Sequence, residues 1–285
     1  MFSVAYRMLG VVADAEDAVQ DAWLRWSAAP RPEVADPRAY LARIVVNTSL
    51  NRLRSARARR EAYVGPWLPE PLLTETRPDP AERAELAESV SVAMLVVLES
   101  LAPEERAVFV LREVFGFSHA EIGAALGRPD AAVRQLAHRA REHVQARRPR
   151  FDVDRNQQRE VTQRFLAAAA GGDIEGLMAV LAPHVTLLTD GGGKARAALR
   201  PITGAGKVAR FMVAITSRPY MGIEISSMSL QAAEINGGPG TLATAGGEAI
   251  AVLTLAVADG RITAIQLLLN PDKLSAIAAG RVLPL

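Results

Sequence analysis

Ser118–Ala137 reads SHAEIGAALGRPDAAVRQLA, and its apolar spacing predicts two short helices joined at Gly127 and Arg128. Ile122, Ala125 and Leu126 fall on one face of the first helix. Gly127 supplies the left-handed conformation that ends a helix. Pro129 suits the first turn of the next, where its missing N–H costs nothing. The second helix is expected to bury Ala132, Val133, Leu136 and Ala140 and to present Arg134, Gln135, His138, Arg139 and Arg141. Arg and Gln on an exposed helix can form paired hydrogen bonds to base edges in the major groove, while neighbouring basic residues hold phosphates. This is a helix-turn-helix pattern of moderate specificity, and a plain helical hairpin with a solvated basic face is its alternative.

The charge pattern around this stretch narrows the choice. A formal net charge of +2 over 285 residues conceals strong segregation. Arg38 to Arg60 holds seven arginines and no acidic residue, and it follows a helix carrying Asp14, Glu16, Asp17 and Asp21. Between Glu70 and Glu105 nine acidic residues stand against Arg77 and Arg83, after which Arg147, Arg148 and Arg150 restore positive charge. Two basic helical blocks separated by an acidic stretch fit a polyanionic partner better than two unrelated solvated faces.

Composition excludes several classes. The chain has no cysteine and four scattered histidines, so disulfides and thiolate metal sites are ruled out and no metal or cofactor is expected. Met1–Gly10 lacks the apolar core of a signal peptide, and no apolar run reaches membrane-spanning length. A cytoplasmic protein without a membrane partner is expected.

Prolines and glycines divide the chain. Residues 1–63 read as helices: one with Val4, Met8 and Leu9, one over Ala13–Trp26 with Ala18, Val19, Ala22 and Trp23 at helical spacing, and one over Pro37–Arg60 started by Asp36. Residues 64–85 contain Pro66, Pro69, Pro71, Pro78 and Pro80 and are expected to form a semi-rigid acidic linker. Residues 86–150 return to helix and include the helix-turn-helix. In residues 151–285 helices over Arg155–Ala170 and Ile174–Leu181 precede strands at Val185–Thr189, Ile223–Leu230, Ala249–Val257 and Ile262–Leu269. Asp259-Gly260 is a hairpin turn, and Asp190–Gly193 and Asn236–Gly240 are expected breaks. Helices followed by a curved antiparallel sheet indicate an α+β domain whose sheet wraps a helix or a pocket.

Several motifs together resemble the two conserved domains of a bacterial extracytoplasmic-function sigma factor. They are YRMLG (6–10), DAEDAVQDAWLRW (14–26), PRAYLARIVVNTSLNRLRSARARR (37–60), LAPEERAVFVLREVFGFSHAEIGAALG (101–127) and VRQLAHRARE (133–142). The remainder resembles the subgroup that carries a fused C-terminal SnoaL-like domain, through WLPEP (67–71), DGGGK (190–194) and NPDKL (270–274). The resemblance implies two all-α domains, the second a helix-turn-helix, followed by a cone-shaped α+β barrel. Core RNA polymerase and promoter DNA are the implied partners. Asp14, Asp17, Gln20 and Asp21 would contact polymerase. Asn47, Asn51, Arg52 and Arg54 would meet the minus-10 element, and Arg134, Gln135, His138, Arg139 and Arg141 the minus-35 element. Many relatives carry Asp where Asn51 stands, and relatives usually have further residues ahead of the segment matching Phe2.

SnoaL-like folds include both enzymes and inert binding modules. His184, Asp190 and Lys194 are the possible acid and base residues, but they make no clear catalytic pair, and no catalytic role is expected. The resemblance suggests instead a regulator in cis, in which Trp67, Pro69 and Pro71 dock near Asp190, Gly191, Gly192, Gly193 and Lys194 and near Asn270, Pro271, Asp272 and Lys273. The barrel pocket is left open to a small-molecule ligand. The alternative is a dimeric, ligand-responsive helix-turn-helix repressor, which gives the acidic helix and the Arg38–Arg60 block no task.

Overall fold

The computed structural model describes residues 1–28, 34, 36–74, 90–147 and 155–278. The chain divides into two compact units, Met1–Ala62 with Met94–Arg148, and Tyr63–Ala93 with Pro149–Pro284.

The first unit is helical: α1 (Phe2–Leu9), α2 (Val12–Ala28), α3 (Pro37–Glu61), the body of α4 (Val92–Glu99), α5 (Pro103–Phe109) with a π-helical continuation over Val110–Val114, α6 (His119–Leu126) and α7 (Asp130–Arg147). Gly10 ends α1 in the left-handed conformation, with its N–H on the Tyr6 carbonyl. Tyr6, Met8 and Leu9 are buried with Ala15, Ala18, Val45 and Val46. Arg106 is buried on α5; its Nη1 donates to the Met8 carbonyl at 2.7 Å and lies 2.6 Å from Glu99 Oε1. A buried guanidinium is tolerable only with such paired acceptors.

The opening stretch folds as two helices with both termini satisfied. Ser118 Oγ accepts from the Glu121 N–H at 3.2 Å, and the Glu121 carboxylate accepts from the Ser118 N–H at 2.7 Å. This capping box satisfies two otherwise orphaned donors, and the hydrogen bonds to Ser118 hold the Glu121 carboxyl below its ordinary pKa. Gly127 adopts φ 64° and ψ 36°. Val133, Leu136, Ala137, Ala140 and Val144 form the buried stripe of α7, and Ala132 is half-buried rather than buried. Trp23, at helical spacing with Ala18, Val19 and Ala22, is 60% exposed.

The second unit contains α8 (Arg155–Ala170), α9 (Ile174–Val180), β1 (Leu181–Asp190), β2 (Ile202–Thr203), α10 (Ala205–Thr216), β3 (Ser229–Ile235), β4 (Gly238–Ala245), β5 (Glu248–Ala258), β6 (Arg261–Leu268) and α11 (Pro271–Ala278). The sheet order is β2-β1-β6-β5-β4-β3. Neighbours are antiparallel except β1 and β6, which run parallel, so the fully antiparallel sheet expected from sequence is corrected. Phe165, Leu177, Leu187, Val208, Met212, Leu255 and Ile265 fill the interior. The sheet therefore wraps packed side chains.

Other expectations also change. Ile223–Leu230 is strand only from Ser229, because a short 3₁₀ turn over Ile225–Ser227 occupies its first half. Asn236–Gly240 is a hairpin, in which Asn236 (φ 52°) and Gly237 (φ 72°) connect β3 directly to β4. Helices α10 and α11 were not anticipated. Residues 64–74 of the expected linker are packed, with Leu68 and Leu72 buried. Residues 75–89, Arg148 and Arg150 lie outside the described residues.

Candidate functional site

Three groups of side chains carry the expected chemistry. On α2, Asp14 Oδ1 and Asp17 Oδ2 lie 3.2 and 3.1 Å from Arg52 Nη1, and Asp21 Oδ2 lies 3.9 Å from Arg52 Nη2. Residues assigned by resemblance to two different partners thus meet in one ion-pair group. Gln20 is exposed on the same helix, beside exposed Trp23 and Leu24. Helical spacing alone gives no sign that this aromatic is exposed.

Along α3, Asn51 and Arg54 are exposed, and Arg54 Nη1 donates to Asn51 Oδ1 at 3.4 Å. Asn47 points elsewhere: its Nδ2 donates to the Ala125 carbonyl of α6 at 3.1 Å. Arg38 supports the same packing, with Nη2 on the Phe115 carbonyl at 2.8 Å and its guanidinium 4.7 Å above the Phe117 ring. The amide proposed for base contact is therefore engaged by the helix-turn-helix.

The exposed face of α7 carries all five expected residues. Arg134 pairs with Asp130, His138 Nδ1 lies 3.6 Å from Glu142 Oε2, Arg139 Nε lies 3.0 Å from Glu105 Oε1, and Arg141 Nη2 lies 2.7 Å from Glu113 Oε1. Gln135 is exposed beside them. Solvent-exposed ion pairs stabilise by about 0–1 kcal/mol, so a phosphate or a base edge can replace these carboxylates at small cost.

The third group lies in the second unit and is built differently. Asp190 ends β1 with 0% exposure. Its Oδ1 accepts from the Tyr63 hydroxyl at 2.6 Å, and its Oδ2 accepts from the Leu68 N–H at 2.8 Å and from Lys273 Nζ at 2.7 Å. Lys273, also buried, donates to the Leu68 carbonyl and lies 4.1 Å from the Trp67 ring centroid and 4.9 Å from that of Tyr63. Asn270 Nδ2 completes the group on the Tyr63 hydroxyl at 2.8 Å. Burial, and then the hydrogen bond to Asp190, push the Tyr63 hydroxyl above its ordinary pKa. The phenol remains a neutral donor.

Two of the three glycines after Asp190 are required by close packing, Gly191 within its own loop and Gly192 against the groups around Asp190. A Cβ on Gly191 would lie 2.3 Å from the Ala195 carbonyl oxygen. One on Gly192, which has φ 57°, would lie 2.3 Å from Asn270 Nδ2 and 2.9 Å from the Tyr63 hydroxyl. Gly193 faces Val64. Pro69 and Pro71 are buried, Pro271 and Asp272 open α11, and Lys194 pairs with Asp272 at 2.6 Å on the exposed rim. The three motifs of the second unit thus converge on Asp190.

A second edge of this unit was not foreseen. Leu73 bridges Ile235 of β3, the Thr74 N–H donates to the Glu234 carbonyl at 3.0 Å, and the Asn236 N–H donates to the Leu72 carbonyl at 2.9 Å. Residues 72–74 thus extend the sheet beyond β3 and cover its edge. Elsewhere a groove of about 440 Å³ opens between Met178, Pro183, Thr203, Lys207, Arg210 and Arg261. His184 is exposed on β1. Among the described residues there is no acidic, histidine or cysteine cluster able to hold a metal ion.

Residues 1–59 match the Sigma-70 region 2 family, and residues 91–144 match Sigma-70, region 4. Over 282 residues the chain is 41% identical to the ECF RNA polymerase sigma factor SigJ of Mycobacterium tuberculosis, covering 96% of this chain and 89% of the relative. It is 34% identical over 281 residues to the probable ECF RNA polymerase sigma factor SigI of the same species, covering 98% and 92%. The crystal structure of M. tuberculosis SigJ matches with a TM-score of 0.75 at 39% identity, over 96% of this chain and 94% of that chain.

Proposed function

Because the chain belongs to the family of extracytoplasmic-function RNA polymerase sigma factors, and so directs promoter-specific transcription initiation, we propose that its SnoaL-like domain regulates that activity in cis by clasping residues 63–74. The supporting observation is Asp190, a buried carboxylate that takes two of its three donors from this segment. The segment lies in sequence between the two sigma domains. A tethered domain meets it at an effective concentration on the order of millimolar, so the clasp forms without exceptional affinity.

In this reading the clasp keeps the connector in the form competent for initiation. Asp14, Asp17, Gln20 and Asp21, with Trp23, form the polymerase surface. Asn47, Asn51, Arg52 and Arg54 serve the minus-10 element, and Arg134, Gln135, His138, Arg139 and Arg141 the minus-35 element. Asn47 must leave Ala125, and Arg52 must exchange its carboxylates, for the DNA contacts to form. Polymerase does the chemistry, and the sigma factor contributes differential binding that favours the opened promoter.

Catalysis by the SnoaL-like domain is not part of this function. Asp190 is saturated by donors, His184 is exposed, and Lys194 is paired at the rim. The small-molecule site belongs to the open groove rather than to the filled interior. The protein works in the cytoplasm, where polymerase is; no helix among the described residues is long and apolar enough to cross a membrane. The test is reconstituted transcription with Asp190→Ala, on a promoter selected by the wild-type holoenzyme from randomised DNA. The proposal expects output to fall several-fold while the variant still co-elutes with core polymerase. Unchanged output rejects it.

A further inference from the structure

The sharpest feature of the second edge is Asn236. It has 0% exposure and sits at the first turn position between β3 and β4, with φ 52°. Its Oδ1 accepts from the Leu72 N–H at 2.9 Å, and its Nδ2 donates to the Val90 carbonyl at 3.1 Å. The Leu72 end is also held by its pairing along β3, so the carboxamide's distinctive task is to tie the Val90 carbonyl to that paired end. The turn needs a residue that tolerates positive φ, and glycine would serve equally. Glycine could not make either side-chain bond, so the bonds give Asn236 a task beyond the turn.

We propose that Asn236 is a positioning residue that fixes the working length of the connector, and through it the promoter spacer length this sigma factor accepts. An extended chain reaches at most ~3.5 Å per residue, so the stretch from Leu72 to Val90 could span about 60 Å if released. With the Leu72 end paired to β3 and the Val90 end tied to it by the amide, the two ends are within a single side chain of each other. Spacer length is a strict geometric variable, because each added base pair moves one element by ~3.4 Å and rotates it by about 35°. A short tether allows one setting of both, and a long tether allows several. This rests on the reading that the SnoaL-like domain regulates initiation in cis, and it names the property regulated.

The chemistry of the amide gives a specific pair of variants. Asn236→Gly keeps the turn conformation and removes both side-chain bonds. Asn236→Asp keeps an acceptor for the Leu72 N–H but places a carboxylate against the Val90 carbonyl, which needs a donor. Both release the Val90 end.

The experiment is reconstituted transcription by the full chain with core polymerase, on a promoter series whose spacer is lengthened and shortened one base pair at a time. Wild type is expected to give a single sharp optimum. Both variants are expected to lose output several-fold at that optimum and gain it at the neighbouring spacers, with a cooperative melt, at a lowered temperature, and polymerase co-elution retained. A profile of unchanged shape, whether scaled down or not, overturns the proposal and leaves Asn236 a structural turn residue. The failure of cis regulation itself is distinguishable, because the Asp190→Ala variant would then match wild type on every template. A variant that does not fold shows itself by melting, and the other variant then decides.

Discussion

The arginines of α7 and the lysine of α11 are both paired with carboxylates, yet they sit in opposite environments. Arg134, Arg139 and Arg141 are exposed; of their acidic partners, Asp130 and Glu105 are half-buried and Glu113 is exposed. Lys273 and Asp190 are buried, with a backbone carbonyl, a backbone N–H, a phenol and two aromatic faces closing the remaining positions. Exposed pairs exchange partners at little cost, which suits the DNA contacts proposed for these side chains. A buried pair broken on one side leaves an uncompensated charge, which suits a contact that must persist. The difference in burial separates the proposed reading surface from the proposed clasp.

That contrast can be broken most forcefully at Lys273. Lys273→Ala should cost about 3–5 kcal/mol, since it strands the Asp190 carboxylate in the interior, and urea unfolding followed by tryptophan fluorescence will read it. A loss below 1 kcal/mol would mean the pair is not truly buried in solution. Gly192→Ala should follow, at about 1–3 kcal/mol, because it combines positive φ with a close approach to Asn270; thermal melting measures it.

On the exposed side the effects move from stability to binding. Trp23→Ala should weaken association with core polymerase by roughly tenfold or more, as expected for an exposed aromatic anchor, and leave the melting temperature in place. Titration of labelled protein with core enzyme checks both halves. Ser118→Ala should cost about 1 kcal/mol through loss of the cap on α6. The cap also carries a pH dependence: Glu121 has a lowered pKa in the folded chain, so its contribution is present above the ordinary glutamate pKa and is lost as pH falls through the lowered value. Glu121→Gln should flatten that acid dependence in melts collected below neutral pH. Smallest of all, Glu105→Gln should change stability by about 0–1 kcal/mol, because its partner Arg139 is exposed.

Much of this was legible in the chain. The α6–α7 turn follows from Gly127 and Pro129, and charge segregation singles out α2, α3 and α7 as the charged helices. The three SnoaL-associated motifs carried the convergence on Asp190, but not its degree of burial, which depends on long-range packing that local sequence does not encode. The exposure of Trp23 was not legible, because helical spacing does not say which way an aromatic faces. The β3–β4 hairpin had its signal in Asn236-Gly237, a strong short turn pair, obscured by Pro239 and two further glycines. Helix α10 was also signalled, by Ala205, Val208, Ala209 and Met212 at helical spacing. The two bonds of the Asn236 amide had no sequence signal, since its partners are backbone groups far away in the chain.

Run-off transcription by core polymerase with wild type or Lys273→Ala, on a promoter that core alone ignores, tests the clasp most directly. The account predicts a promoter-dependent transcript with wild type and several-fold less with the variant, at equal polymerase occupancy. Equal transcript from both proteins, with the variant folded, would contradict it.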